Sequence, residues 1–317
     1  MSASMPSLVV VMPVFEDVEA SSRLFQELAN SQGPGTYVVA VDDGSVRQPV
    51  DPAAIAAAGL DGAVIRLRRN VGHQRAIAIG LSYVAEHFGD GQRVVVMDSD
   101  GEDTPHSITE LLSALDSEQV DVVVATRRSR VETLRFRTFY LVYKWLFSLL
   151  SGRRISFGNF MAAKMPAVRR LAAMQELWTH VAACVLNSKL RVSTCALDRG
   201  PRYAGRSKMN FVGLALHGFR ALMVFAEDVL VRVGIACTLI AGLSVLGSLL
   251  AVALKMFGVA TPGWFSLVTG ILLLVFLQTG ALTLIILMLS GMIRGGGIPS
   301  AGAYNDFIAD VLHVRSR

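Results

Sequence analysis

Cysteine is scarce: Cys184, Cys195 and Cys237 stand far apart and are odd in number, and Cys237 falls in an apolar run. That excludes a disulfide framework and fits a reducing compartment. Histidine is as thin, with 6 in the chain, and His73, His106, His180 and His217 show no H-x-x-H or related spacing. A zinc site is therefore not expected. No G-x-x-x-x-G-K-[ST] stretch occurs and G-x-S-x-G is missing, which removes P-loop hydrolysis and α/β-hydrolase chemistry. The amino terminus, MSASMPSLVVVMPVFED, lacks a basic n-region, and Pro13 breaks its apolar run, so it reads as a strand and not as a secretory signal. Internal repeats and low-complexity tails are absent. The most telling lack is of charge: none stands between Val233 and Leu254, about 33 Å at helical rise, and none between Trp264 and Ile293. One charged residue at mid-helix costs about 3 kcal/mol on insertion scales, so the two stretches are expected to be transmembrane helices.

The 317 residues are 52% hydrophobic with a mean hydropathy of +0.48, more than a soluble domain carries. Net charge is +5, which suits an anionic partner. Basic groups cluster at Arg66, Arg68 and Arg69, at Arg127, Arg128 and Arg130, and at Arg199, Arg202, Arg206 and Lys208. Charge alone leaves nucleic acid, lipid headgroups and a phosphorylated substrate open. Arg220, Arg232, Arg294, Arg315 and Arg317 flank the apolar stretches, whereas the turn from Phe257 to Gly263 carries no charge. The positive-inside rule then puts the large domain and both termini in the cytoplasm, at the inner membrane.

Apolar runs at 8–12, 37–41, 62–67, 93–97 and 120–125 read as strands. Between them Leu24 and Leu28, then Ala76, Ile77, Gly80, Leu81 and Val84, then Ile108, Leu111, Leu112 and Leu115 recur at helical spacing. Strands alternating with helices predict a three-layer α/β sheet. The segment 139–150, FYLVYKWLFSLL, is too short to span a bilayer and reads as a core or an interfacial helix. Residues 211–225 form an amphipathic approach to the membrane.

Two strands end in acid. One run stops on Asp42 and Asp43, another on Asp98, Ser99, Asp100, Gly101, Glu102 and Asp103. Such carboxylates repel one another unless a cation is present, and the carboxyl ends of strands are where open α/β sheets place ligands. Hard oxygen donors at that edge suit Mg²⁺ or Mn²⁺ bridging a diphosphate.

PVFED at 13–17, AVDDGS at 40–45, RNVGHQRAIAIG at 69–80, DSDGED at 98–103 and RYAGRSKMN at 202–210 occur in the order seen in inverting family 2 glycosyltransferases. The chain resembles their polyprenyl-phosphate subgroup, being similar to dolichyl-phosphate mannose synthase and bacterial undecaprenyl-phosphate glucosyltransferases. The resemblance implies a cytoplasmic GT-A-like α/β domain over 1–210, an amphipathic juxtamembrane helix over 211–230, two transmembrane helices within 231–293 and a cytoplasmic tail over 294–317. It implies that Pro13, Asp42 and Asp43 line the nucleoside pocket, that Asn70 and Gly72 belong to the loop closing on the nucleotide sugar, and that Asp98 and Asp100 hold the metal. Arg127, Arg202, Ser207 and Lys208 would meet the anionic donor or the lipid phosphate. The implied partners are a nucleotide-diphosphate sugar, a polyprenyl phosphate and the bilayer, with no nucleic acid. A face with Gly234, Gly242 and Gly247 permits close helix packing, including between copies of the chain.

Four positions depart from the family pattern. Glu16 and Asp17 stand where Asn-Glu is usual, Glu102 where Gln is usual, and Asn159 where many relatives carry an aspartate suggested as a base. An amide cannot accept a proton, which favours a lipid phosphate, already ionised, over a hydroxyl acceptor. Asp103 is the remaining candidate base. The rival readings are transfer to a glycolipid hydroxyl and a silent nucleotide-sugar-binding membrane protein.

Overall fold

The computed structural model describes residues 6–33, 35–117, 119–127, 144–155, 157–203, 211–259, 263–294 and 302–316. The chain divides into two compact units. One is assembled from Met1–Phe139, Ile155–Val224 and Ile298–Arg317, the other from Tyr140–Arg154 and Phe225–Gly297.

The first unit is organised on one sheet whose strands are β1 (Leu8–Val14), β2 (Thr36–Asp42), β3 (Asp61–Leu67), β4 (Arg93–Val96), β5 (Val122–Arg127), β6 (Phe157–Lys164), β7 (Val192–Leu197) and β8 (Ile308–Val314). Their spatial order is β7-β5-β6-β4-β1-β2-β3-β8. The centre is parallel, with Val10 opposite Val38 on β2 and opposite Val95 on β4. Strand β6 runs antiparallel to both β4 and β5. Valine supplies most of β1, β2 and β4, because a β-branched side chain suits a pleated surface buried on both faces.

The period of two sends alternate residues to opposite layers. On one face Val9, Val11, Val39 and Val41 pack with Ile77, Leu81 and Val84 of α3 (His73–His87) and with the helices α5 (Met165–Ala172) and α6 (Val181–Asn187). On the other, Val10, Met12, Val38 and Val95 pack with α1 (Val18–Gln32), α2 (Pro52–Ala57) and α4 (Ser107–Ser117) through Leu24, Phe25, Ile55, Ile108 and Leu111. Gly80 lets α3 approach closely, since a Cβ there would lie 2.5 Å from Val11 Cγ1.

The segment expected as a tail beyond residue 294 carries an edge strand. β8 pairs antiparallel with β3, Val64 opposite Leu312. Arg68 N–H donates to Phe307 O at 2.9 Å, Tyr304 donates its hydroxyl to Glu86 at 2.7 Å, and Ser316 donates to Asp61. β6 and β7 also lie outside the five strands legible as apolar runs. Helix α7 (Phe211–Val224) closes the described part of this unit before the second one.

The second unit holds α8 (Ala226–Met256) and α9 (Trp264–Arg294), both long and apolar enough to cross a membrane by length and composition. A Cβ on Gly247 would meet Leu272 at 3.2 Å and one on Gly234 would meet Ile286 at 3.7 Å, so these glycines admit α9 of the same chain. Residues 144–151 are helical, with Phe147 buried edge-on against Phe225 and Trp145 and Leu149 exposed.

Candidate active site

Strand β4 delivers the acidic turn. Met97 N–H still donates to Val11 O, after which the chain leaves the sheet and Gly101 takes a φ of +87°, a left-handed value that glycine adopts without strain. Asp103 Oδ2 accepts the Asp98 N–H at 3.0 Å, and Asp100 Oδ1 accepts the Glu102 N–H at 3.0 Å, so two carboxylates knit the turn from within.

The segment 199–203 clasps this turn from outside. Gly200 N–H donates to Glu102 O at 3.0 Å and Tyr203 N–H to Asp100 O at 2.9 Å. Arg202 Nη2 pairs with Asp100 Oδ2 at 2.8 Å, and Arg199 pairs with Glu102. The Tyr203 ring covers Gly101, where a Cβ would lie 2.5 Å from it, and its hydroxyl donates to Glu27. Arg202, expected at a phosphate, pairs in this structure with Asp100 and Glu102. Arg127 is exposed at the end of β5, and Ser207 and Lys208 lie outside the described residues.

The two aspartates of the D-x-D sequence differ. Both oxygens of Asp100 are engaged, whereas Asp98 Oδ1 is shielded from solvent and has no hydrogen-bond partner. His73, at the first turn of α3, brings Nε2 to 3.2 Å from that oxygen without completing a hydrogen bond to it. An orphaned carboxylate oxygen among hard donors fits a divalent cation. No group of three or more His, Cys, Asp or Glu side chains among the described residues forms a ready-made cage, so such an ion would need further oxygens from its ligand.

The charges titrate apart. Burial, then Asp98 and Asp100, push the Asp103 carboxyl up to about 8. Asp98 goes the other way: against burial, His73, Arg199 and Arg202 hold it below the ordinary carboxylate range. Against desolvation, the carboxylates of Asp98, Asp100 and Asp103 draw the His73 ring upward.

The second acidic strand end is built differently. Asp42 Oδ1 accepts from Ser45 N–H and Oδ2 from Val50 N–H, while Asp43 accepts from Val71 and Gly72 N–H at 2.7 and 3.0 Å. Glu16, where an amide is usual, accepts from the N–H groups of Val46, Arg47 and Gln48. These carboxylates shape the loops: Asp43 clips the 70–72 loop to the end of β2, and Pro13 is buried on β1 beside Val41. Asn70 is exposed on that loop. Sequence reasoning gave no role to His73 and Gln74, which stand inside the 69–80 motif, and counted Arg199 only as one of a basic cluster.

The sequence model described as Glycosyl transferase family 2 matches residues 9–178. An uncharacterized glycosyltransferase of Bacillus subtilis, YkcC, is 27% identical over 226 residues, covering 67% of this chain and 67% of its own length. A dodecaprenyl-phosphate galacturonate synthase of Rhizobium johnstonii is 25% identical over 151 residues, covering 46% of this chain and 42% of that protein. Among solved structures, glucosyl-3-phosphoglycerate synthase of Mycobacterium tuberculosis, crystallised with Mn²⁺, UDP and phosphoglyceric acid, shares the fold at a TM-score of 0.50 and 17% identity, over 72% of this chain and 78% of its own. The mixed sheet is GT-A-like, followed by two apolar helices that could span a membrane.

Proposed function

The chain belongs to glycosyl transferase family 2, and on that premise we propose that it moves a single sugar from a nucleotide-diphosphate donor to a polyprenyl phosphate, with inversion, at the cytoplasmic face of a membrane. The observation that carries this reading is the acidic turn at the end of β4, with an unpartnered Asp98 oxygen and Arg199 and Arg202 set against its other carboxylates. Asp98 and Asp100 would hold Mg²⁺ or Mn²⁺, which when bound acts as a Lewis acid on the departing diphosphate.

The chain's own residues do the rest. Asp43 fixes the 70–72 loop beside the nucleotide. Arg202 neutralises Asp100 and can turn to a phosphate when a cation takes its place, because a guanidinium serves carboxylate and phosphate alike. Asp103 is buried and holds the Asp98 amide, which suits shaping the turn more than taking a proton from substrate. Asn159 cannot serve as a base, and an ionised lipid phosphate needs none. The named substrate of the Rhizobium relative supports an acceptor of that class.

Chain order supports the topology. Two crossings by α8 and α9 return the chain to the side it left, and β8, which follows them, belongs to the catalytic sheet. The catalytic unit and both ends then share the cytoplasmic side that the arginine distribution favours.

The test is to incubate the purified full chain with undecaprenyl phosphate and a panel of nucleotide sugars, with Mn²⁺ or Mg²⁺, and to look for lipid-linked sugar by mass spectrometry. Formation of a product from one donor supports the reading. Transfer only to a glycolipid hydroxyl, or donor binding with no transfer to any acceptor, overturns it.

A further inference from the structure

A chain of hydrogen bonds leads from the core to His73, and its direction is fixed at the buried end. The Val181 backbone N–H can only donate, and it donates to Gln74 Oε1 at 2.7 Å. Gln74 must therefore present its Nε2 outward, and that group donates to Asn159 Oδ1 at 3.1 Å. Asn159 in turn presents Nδ2 to His73 Nε2 at 3.0 Å. In the neutral ring the single lone pair of Nε2 accepts it, so the one ring proton sits on Nδ1. An Nε2 that accepts from Asn159 cannot donate to Asp98, and this is why Asp98 Oδ1, 3.2 Å away, is left without a donor.

We propose that Gln74 and Asn159 are positioning residues that hold His73 in the Nδ1–H tautomer, denying Asp98 an N–H partner and so keeping its Oδ1 open for the metal. The relay explains an amide at 159: a carboxylate there accepts from Gln74 but has nothing to donate, so His73 Nε2 would have to carry a hydrogen. Gln74 is buried at 5% exposure, which keeps water from competing for the relay's inner link. The inference rests on the proposed reading only in assigning the cation to Asp98.

The test uses the full chain in detergent with ¹⁵N-labelled histidine, with the pH raised until the ring ¹⁵N shifts mark a neutral imidazole, so that only the position of its one proton is read. Long-range ¹H–¹⁵N correlation spectra, with the His73 signal assigned by its loss in His73→Gln, should show Nε2 unprotonated in the parent. Asn159→Asp and Gln74→Glu, near-isosteric changes at two separate links, should each move the proton to Nε2. In a second arm Mn²⁺ alone is titrated by electron paramagnetic resonance. Asn159→Leu, which adds no charge, should weaken binding roughly tenfold, the weight of one hydrogen bond newly made to the charged Asp98. A parent ring protonated on Nε2, a tautomer unmoved by both near-isosteric variants, or Mn²⁺ affinity unchanged in Asn159→Leu overturns the relay. A parent that binds Mn²⁺ with the expected tautomer yet transfers no sugar overturns the acceptor reading and leaves the relay standing.

Discussion

Arg202 Nη2 lies 2.8 Å from Asp100 Oδ2, so the cation nearest the second aspartate of the acidic turn belongs to the protein itself. Arg202 and a divalent ion would compete for one carboxylate. Arg202→Ala should therefore tighten the binding of Mn²⁺ alone while lowering kcat/KM for the nucleotide sugar by about a hundredfold, as the loss of charge-assisted contacts to the diphosphate implies. Metal titration and steady-state kinetics on one preparation check both directions. A variant weakened in metal binding would show that Arg202 supports the ion.

Gly101 combines a φ of +87° with the Tyr203 ring where its Cβ would stand. Gly101→Ala must strain the backbone by about 1–2 kcal/mol and push Tyr203 off the turn. A lowered melting temperature together with loss of donor binding is expected, and Tyr203→Ala in the same background should recover part of the stability. No recovery would mean that the steric contact is not the cause.

The loop clip makes a separate prediction. Asp43 accepts both the Val71 and Gly72 N–H groups, and Gly44 is pressed against Arg69 and Asn70, where a Cβ would fall 2.5 Å from the Arg69 carbonyl carbon. Asp43→Ala frees two buried-side donors, a loss of about 1–3 kcal/mol. It should raise KM for the nucleotide sugar about tenfold or more with a smaller change in kcat, and should open the 68–72 segment to limited proteolysis. An unchanged KM would separate this loop from donor binding.

Asp103 sets a pH dependence whose sign follows from its environment. The folded chain holds the proton up to about 8, raised by burial and by Asp98 and Asp100, whereas an unfolded aspartate releases it near pH 4. The folded state binds more protons between those values, so this group's contribution to stability falls as pH rises from about 4 through about 8. Melting curves without added metal should show that decline, and Asp103→Asn, whose amide oxygen can still accept the Asp98 N–H, should flatten it. Activity should survive in Asp103→Asn, well inside the ~10²–10⁴-fold loss that removal of a general base brings.

How much of this was legible before the fold was known depends on how local each signal is. The β1, β2 and β4 strands announce themselves because both faces are buried, leaving apolar runs dominated by valine. β6 reads Phe-Gly-Asn-Phe-Met-Ala-Ala-Lys, where glycine, asparagine and alanine dilute the strand signal, and it forms because β4 and β5 supply partners on both sides. β8 reads Ile-Ala-Asp-Val-Leu-His-Val, without clean alternation, and its partner β3 lies on the far side of two long apolar helices in sequence. The acidic turn was visible since its carboxylates are neighbours along the chain. The link from His73 to Asn159 was not, since 86 positions separate them and neither residue type is unusual where it stands. Arg202 reads locally as one of a basic cluster, and nothing local shows that Asp100 is what it meets.

The edge strand β8 also bears on how the molecule is made. A ribosome finishes β3 long before it reaches Ile308, and both long apolar helices emerge in between. Until then the outer edge of β3 has unpaired backbone groups, Arg68 has no Phe307 carbonyl to meet, and Glu86 has no Tyr304 hydroxyl. The catalytic sheet is therefore completed last, after the membrane segments are synthesised, and a chain cut short before residue 302 leaves a sheet edge exposed to other strands.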